Sequence, residues 1–307
     1  MSLPASSSLR RFATRGIFWR EYLDWAVRNV PFYLQPILIF CMSAFFFFFA
    51  GSVRRAAVAN LSLALPGSSS WMNHLRAFRT LLNFAWTIRD AAHFRFAKNE
   101  FAYEIEGAEY LDQLAVARGA IVLTAHMGSY DLGAAIFAQK FQREIRMVRA
   151  PEADADTARH VQTSLGETGD GAVKVSYSTS GALLSFDLLS AVRDGEIVSI
   201  QGDRVIPGVA SAEMELFGER VPLPTGPFTL ALVAQVPIYP LFFVRAGYRR
   251  YRIVTRAPIW LRRTERTRDE DVATGMATWC DVLEATITEY WHQWFALVPI
   301  LPAHAKR

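Results

Sequence analysis

Residues 120–133, AIVLTAHMGSYDLG, join a short apolar run to a segment that can begin a helix. The β-branched and aliphatic residues of 120–125 predict a buried strand, and Gly128 and Ser129 indicate the start of a helix over 128–141. His126 therefore lies at the carboxyl end of the strand, where reactive groups collect in open α/β sheets. Asp131 follows five positions later, in the predicted first helical turn, where a negative charge is favoured.

The rest of the chain continues this alternation. Further strands are predicted at 196–200, 236–244 and 251–259. Helix-like segments lie at 152–166, 179–193 and 225–235, and a closing helix is expected over 269–296. Strands that alternate with helices predict an α/β fold with a mostly parallel, twisted sheet flanked by helices. We expect this domain to cover residues 54–307 and to begin with helices over 54–100.

The N-terminal end of the chain is basic and apolar. Residues 1–60 contain seven arginines and two acidic residues, whereas the remainder is close to neutral. Basic charge beside apolar surface favours contact with anionic lipid headgroups. No stacking platform, zinc finger or basic heptad repeat indicates nucleic acid as a partner. We therefore predict that residues 1–53 form an apolar, helical, membrane-associating segment.

Residues 29–53 carry no charge and are long enough to cross a bilayer. Pro31 and Pro36 would bend or end a helix in the first half of this segment. Arginines lie on both sides of it, so a single span would leave one basic flank on the outer face, against the positive-inside tendency. We favour a bent interfacial or re-entrant element, with a full span and a core helix as alternatives.

His126 and Asp131 could form a catalytic pair. With 6 His and 29 acidic residues in 307 positions, about half a pair at this spacing is expected by chance, so the spacing alone is not diagnostic. A chain that turns at Met127 and Gly128 could bring the carboxylate to the imidazole and hold one ring nitrogen protonated. The other nitrogen could then accept a proton from a substrate hydroxyl, while amides at the helix start serve an oxyanion. The alternative is a capping aspartate beside an incidental histidine.

Several common kinds of site are not predicted. Cys41 and Cys280 form no spacing pattern, so neither a disulfide framework nor a zinc site is indicated. The other histidines lack metal-ligand spacing, and the chain has no glycine-rich phosphate loop and no Gly-x-Ser-x-Gly elbow. We predict no metal and no cofactor. No protein nucleophile is required if the attacking hydroxyl belongs to the substrate.

A strand ending in His-x4-Asp, behind an apolar and basic N-terminus, resembles the glycerolipid acyltransferase superfamily. The resemblance is closest to its bacterial lipid A biosynthesis (lauroyl/myristoyl) acyltransferase branch. Four further stretches agree in order: the N-terminal layout ending in RRAAVANLSLALPG (54–67), VSIQGDR (198–204), LPTGPFTLALVAQVPIYPLFFVR (223–245) and YWHQWF (290–295). The similarity covers residues 15–297.

The resemblance implies an enzyme that moves an acyl chain from a thioester, on acyl carrier protein or coenzyme A, to a hydroxyl or amine of a lipid-like acceptor. In that scheme His126 is the general base and Asp131 orients it. The residues implied to bind substrate are Arg149, Gly202, Asp203, Arg204 and Gly226. The implied location is the cytoplasmic face of the bacterial inner membrane, in contact with anionic headgroups.

Two of these residues have more specific expected roles. The planar guanidinium of Arg204 suits a phosphate of the donor or acceptor. Asp203 would hold the acceptor or Arg204 itself, with a surface ion pair as the alternative for both residues. A solvated side chain is the alternative for Arg149. Gly226 is expected to shape a turn that lines the cleft.

Three departures from the family pattern bear on the acceptor. Asp131 stands where the lipid A branch usually has Glu, residues 201–204 replace its Asp-rich block, and the usual proline before Gln293 is missing. The implied reaction type is unaffected. Lipid A precursors, lysophospholipids, other amphipathic molecules and polyene-type pigments all stay open as acceptors.

Other functions also stay open. Residues 245–268 hold nine arginines and one glutamate, which could form a solvated face, receive an acidic carrier protein or rest on anionic headgroups. An acyl thioesterase would use the same pair of residues, with water in place of the acceptor. A non-catalytic partner in a membrane assembly would keep the fold without turnover.

Overall fold

The computed structural model describes residues 16–301 except 153, 179, 180 and 207. Arg10, Arg11 and Arg15 of the basic end lie outside the described residues. Four helices come first among those described: α1 Gly16–Asn29, α2 Gln35–Phe49, α3 Gly51–Ala64 and α4 Ser70–Phe94. The later helices are α5 Ala108–Val116, α6 Tyr130–Phe141, α7 Ala155–Thr168, α8 Gly181–Arg193, α9 Gly226–Ala234 and α10 Arg268–Glu289.

The strands are β1 Ala102–Glu106, β2 Ala120–Thr124, β3 Ile145–Arg149, β4 Val173–Tyr177, β5 Ile197–Gln201, β6 Ser211–Leu216, β7 Glu219–Pro224, β8 Ile238–Gly247 and β9 Arg250–Thr255. One sheet has the order β1-β9-β8-β2-β5-β3-β4, and β6 with β7 forms a separate hairpin. All pairs in the large sheet are parallel except β8 with β9. The predicted α/β fold with a mostly parallel sheet is therefore confirmed.

Strand β2 lies inside the sheet and explains why the opening stretch reads as continuously apolar. It pairs with β8 on one side and β5 on the other. Ile121 and Leu123 belong to one hydrophobic core, whereas Ala120 and Val122 belong to a second. A strand covered on both faces needs apolar residues at every position rather than at alternate ones.

Other boundaries differ from the sequence predictions. Strands β1, β4, β6 and β7 were not predicted, because they are partly exposed and contain charged or polar residues, so that none of them forms a continuous apolar run. The closing helix ends at Glu289 rather than near 296. The chain then forms a short 3₁₀ turn at Trp291–Gln293, and Trp294 pairs with Met127.

The apolar N-terminal segment is bent. The break between α1 and α2 contains Pro31, and Pro36 occupies the first turn of α2. Within the described residues no individual helix is long and apolar enough to span a membrane, but α2 and α3 together meet that criterion, with a bend of 92° between them. Helix α3 crosses the proposed boundary at residue 53, and the division into segments 1–53 and 54–307 stays a prediction.

A buried polar network joins the N-terminal helices to the sheet. Arg89 on α4 donates from Nε to Gln35 Oε1 (2.8 Å) and from Nη1 to Asp90 Oδ1 (2.9 Å). The other Asp90 oxygen accepts from Tyr251 Oη (2.9 Å) and from Arg245 Nε (3.2 Å). Because Asp90 and Arg89 are almost fully buried, each needs these partners to offset its desolvation. The network therefore fixes α2 and α4 against β8 and β9.

The turn between β2 and α6 requires glycine at position 128. Gly128 has φ +57°, and a Cβ there would lie 1.9 Å from the carbonyl oxygen of Phe243. We predict that Gly128→Ala lowers the free energy of unfolding by about 2–4 kcal/mol, through left-handed strain and backbone overlap.

Gly67→Ala is the matched control for a denaturant titration. Gly67 also has a positive φ, +78°, but no atom lies within 4 Å of the added Cβ. Only the conformational cost of about 1 kcal/mol is expected there. Equal losses in both variants would contradict a special requirement at Gly128.

Candidate active site

The site begins where two neighbouring strands end. Strands β2 and β5 are parallel, with Thr124 opposite Gln201, and the Gly202 amide extends the ladder by donating to Thr124 O (2.8 Å). His126 and Asp203 each follow two residues after this last registered pair. Their side chains therefore meet at the carboxyl edge of the sheet, where such folds place their reactive groups.

His126 Nδ1 donates a hydrogen bond to Asp203 Oδ1, with 2.7 Å between the two atoms. An ionised carboxylate can only accept, so the proton lies on Nδ1 and the second ring nitrogen, Nε2, is left as a base. Asp203 has no exposed surface, whereas the His126 side chain is 21% exposed and lines the cleft. The arrangement can orient the imidazole and stabilise its protonated form.

The charge of Asp203 is maintained by its surroundings. Burial acts to raise the pKa of this carboxyl, but the His126 ring, the hydrogen bonds from His126 and Trp294, and the charge of Arg204 hold it below the ordinary value of 3.8. The second oxygen, Oδ2, accepts from Trp294 Nε1 at 3.1 Å. Both carboxylate oxygens are thus hydrogen-bonded, as a buried charge requires.

The segment after α10 positions both members of the pair. The Phe295 amide donates to His126 O (2.6 Å), and the Gly128 amide donates to Gln293 O (3.1 Å). Between them, the backbone of Trp294 forms a bridge with Met127, and its indole Nε1 donates a hydrogen bond to Asp203. Sequence reasoning singled out YWHQWF only as part of a family resemblance, so the contribution of Trp294 to the site was missed.

Gln293 attaches this segment to β8. Its Oε1 accepts from the Arg245 amide (2.6 Å), and its Nε2 donates to the Arg245 carbonyl (2.8 Å). The side chain thereby replaces a neighbouring strand at this point of the backbone. Since Gln293 is fully buried, the contact fixes residues 293–295 beside the loop that carries His126.

Asp131 has a different partner from the one expected. It lies in the first turn of α6, as predicted, but its hydrogen bond is with Arg149 Nη1 at 2.5 Å. Arg149 ends β3 and faces Asp131 across this edge of the sheet, and the Asp131 charge raises the Arg149 pKa. The His126 hydrogen bond goes instead to Asp203, because β5, not α6, carries a carboxylate to Nδ1. A direct catalytic part for Asp131 stays a prediction.

A cleft of about 1100 Å³ opens in front of His126. Asp131, Arg149, Arg204 and Gly226 also line it, together with apolar side chains that include Phe84, Ile88, Leu184, Leu188 and Leu230. Gly226 begins α9 rather than a separate turn. The cleft therefore combines a base and charged groups with walls suited to a hydrocarbon chain.

Gly202 and Asp203 are buried and do not belong to the cleft lining, contrary to their expected direct contact with substrate. The reason at Gly202 is close packing: a Cβ there would lie 2.7 Å from Leu123 Cδ1. Its carbonyl also accepts from Trp279 Nε1 at 3.0 Å. Both residues thus pack beneath the cleft and do not form part of its surface.

Arg204 has unused hydrogen-bonding capacity. It lines the cleft, and its buried Nε has no hydrogen-bond partner among the described residues. By contrast, the amides of Gly128 and Ser129 are bonded to Gln293 O and Phe243 O, so these two are not available to an oxyanion. An anionic group in the cleft would find Arg204 a better donor than these amides.

The arginine-rich segment 245–268 is largely neutralised by acids from elsewhere in the sequence. Its ion pairs, named by partner, are Arg245–Asp90, Arg249–Glu100, Arg250–Glu104, Arg252–Glu104, Arg256–Glu106, Arg263–Asp271 and Arg268–Asp269. The local charge is therefore much lower than the sequence suggests. Carrier docking at this segment stays a prediction with less support.

We predict that Trp294→Phe lowers the free energy of unfolding by about 2 kcal/mol, since it leaves Asp203 Oδ2 without its donor. Because the indole helps to lower the pKa of Asp203, the loss should be largest at neutral pH. It should shrink as the pH falls below 3.8 through the lowered pKa and the carboxylate is protonated.

Chemical denaturation at several pH values measures this difference. Trp291→Phe is the control, because its ring packs against Arg76 and Arg79 and donates no hydrogen bond found in the described part of the chain. A Trp294→Phe loss that does not change with pH would indicate packing alone.

Comparison with known proteins identifies the family of the chain. No curated protein matches the chain. A family model described as bacterial lipid A biosynthesis acyltransferase matches residues 6–301, which include every strand and helix of the site. The chain belongs to the bacterial lipid A biosynthesis acyltransferase family and is an acyltransferase of that type.

Proposed function

We propose that the protein transfers an acyl chain from an acyl thioester, carried by acyl carrier protein or coenzyme A, to a hydroxyl or amine of a lipid-like acceptor. One observation carries the proposal: His126, oriented by buried Asp203, faces a largely apolar cleft of about 1100 Å³. A base at the mouth of an apolar cleft suits a reaction between an amphipathic acceptor and an activated acyl chain.

In the proposed reaction, His126 Nε2 removes the proton from the acceptor hydroxyl as its oxygen attacks the thioester carbonyl. The tetrahedral intermediate then collapses, the carbon–sulfur bond breaks, and the imidazolium returns the proton to the departing thiolate. The products are an ester and a free thiol, or an amide and a thiol when the acceptor is an amine. Asp203 stabilises the imidazolium between these steps, as the carboxylate of a catalytic triad does.

Three arginines line the cleft, Arg149, Arg204 and Arg268, and Arg268 is paired with Asp269. Arg204, with its unpartnered Nε, would bind a phosphate of the donor or acceptor. Arg149 is already paired with Asp131, so it would meet an anion only as part of that pair. We therefore propose Arg204 as the principal anion-binding residue of the cleft.

We further propose that α2 contacts the cytoplasmic face of a bacterial inner membrane. Several large apolar side chains of α2 are exposed, with Phe48 at 69% and Phe49 at 76%. Arg54 donates to the Phe47 and Phe48 carbonyls at the end of this helix and places positive charge beside the aromatic surface. Apolar surface next to basic residues suits an interfacial element on anionic lipid.

The first test concerns the base and its partner. We predict that His126→Ala abolishes transfer and that Asp203→Asn lowers kcat by about a hundredfold to ten-thousandfold, because the imidazolium loses its stabilising charge. Asp131→Asn should change kcat less, since it leaves the His126–Asp203 bond intact, and should alter mainly KM, because Arg149 loses its partner in the cleft. Acyl transfer from thioester to an extracted bacterial lipid fraction, followed by mass spectrometry, measures these effects.

Circular dichroism controls for folding of all three variants. If Asp131→Asn lowers kcat as much as Asp203→Asn, the pair inferred from the sequence is the working one. Release of free fatty acid at full rate without any lipid acceptor would identify a thioesterase instead.

The second test concerns the membrane. Replacing Phe48 and Phe49 by Ser should weaken binding to phosphatidylethanolamine–phosphatidylglycerol vesicles about tenfold or more, because two aromatic rings no longer leave water. Trp260→Ser is the control, since Trp260 is 58% exposed but follows β9, outside the N-terminal helices. Vesicle cosedimentation reads out the change, and equal loss in the control would contradict a specific part for α2.

A further inference from the structure

A second cavity, of about 360 Å³, lies between α1, α2 and α4. Residues at helical spacing on each helix form its walls, among them Leu23 and Val27 of α1, Ile39 and Ser43 of α2, and Leu81 and Ala85 of α4. The amphipathic helices α1 and α4 turn apolar stripes toward this space, and α2, which is apolar on all sides, completes it without filling it. The cavity is open on one side, since Phe46 in its wall is 42% exposed.

The cavity shares part of its wall with the catalytic cleft. Phe84, Ile88 and Leu297 contribute to the walls of both spaces. A chain in the second cavity can therefore belong to a molecule whose polar end lies near His126. The cavity also lies beneath α2, the helix whose outer aromatic side chains are exposed.

Small side chains keep the space open. Ala26, Ala50 and Ala85 line it where larger apolar residues would fill it. Ser43 lines it as well, is only 3% exposed, and its Oγ has no hydrogen-bond partner among the described residues. A buried hydroxyl without a partner is unfavourable compared with an apolar side chain. A helix selected only for packing would have a larger apolar residue at this position.

We propose that this cavity binds a hydrocarbon chain of the lipid acceptor, while the acyl chain of the donor occupies the cleft beside His126. The inference rests on the proposed transfer function and assigns its two chains to separate spaces. The acceptor is chosen because its chains reside in the membrane and would enter through the N-terminal helices. The donor thioester, on a water-soluble carrier, reaches the base through the open cleft.

The decisive variants fill the cavity from opposite walls. Ala85→Phe acts from α4, and Ser43→Leu acts from α2 while removing the unpartnered hydroxyl. Each should raise KM for a long-chain lysophospholipid acceptor about tenfold or more, the effect of excluding two or more methylene groups. Neither should alter KM for a short-chain acceptor or the preference of the enzyme for donor chain length.

Ala277→Phe is the control, because Ala277 is exposed on α10 and lines neither space. Thermal melting establishes that the variants fold. If both variants melt at or above the wild-type temperature and acceptor length dependence is unchanged, the cavity is a packing void and the proposal is wrong. A shift in donor length preference instead would assign the space to the donor chain and overturn the proposal equally.

A binding measurement separates this inference from the proposed reaction. A palmitoyl lysophospholipid with a diazirine at the chain end should crosslink on irradiation to peptides from residues 22–50 and 81–89. Ala85→Phe should abolish those crosslinks, and Ala277→Phe should retain them. Crosslinks here without acyl transfer would refute only the proposed function, whereas transfer with crosslinks confined to the cleft would refute only the second site.

Discussion

The buried charge of Asp203 is the constraint on which the rest of the site depends. A carboxylate with no exposed surface must find hydrogen-bond donors inside the protein, and here the donors are the His126 ring and the Trp294 indole. These two hydrogen bonds connect the ends of β2 and β5 with the segment that follows α10, although the three regions are far apart in sequence. The same bonds orient the imidazole. Folding and the orientation of the His126 ring therefore depend on the same buried carboxylate, and a substitution that leaves it unpaired would affect both.

The sequence predicted the structure best at strand β2, where the apolar residues of the strand alone indicate that it is buried. Residues 120–125 are apolar except for Thr124, and this run correctly indicated a strand covered on both faces with a histidine directly after it. The same stretch of sequence also correctly predicted that Asp131 lies in the first turn of a helix. The partner of the imidazole was harder to find, because it depends on which strand lies next to β2. The neighbour, β5, begins more than seventy residues later, so the short spacing to Asp131 drew attention to the nearer carboxylate. One common feature was present: His126 and Asp203 each lie two residues after the last residue of a strand.

The ion pairs of residues 245–268, like the His126–Asp203 hydrogen bond, join residues that are far apart in sequence. Nine arginines within 245–268 suggested a strongly basic face, yet Asp90, Glu100, Glu104 and Glu106 all come from earlier segments of the chain to pair with them. Strands β1 and β9 are parallel neighbours, with Glu104 opposite Arg252, so the sheet itself aligns acids with bases. A count along the chain measures composition within a segment, whereas the field at a surface depends on which strands pair. This is why the acidic carrier has less support at that segment than its sequence suggested.

The proposed assignment of the two lipid chains to separate apolar spaces has a physical consequence for the proposed transfer. A general base works best where water does not compete with the acceptor hydroxyl, and hydrocarbon chains that fill both spaces would exclude water from His126. The residues that line both spaces, Phe84, Ile88 and Leu297, then lie between the two chains. Phe84 also packs its ring edge against Phe295, whose amide holds the His126 carbonyl. A hydrocarbon chain in the second cavity would therefore contact residues that also line the cleft beside His126. In such an arrangement the lipid contributes to its own reaction by completing the dry environment in which a neutral imidazole can accept its proton.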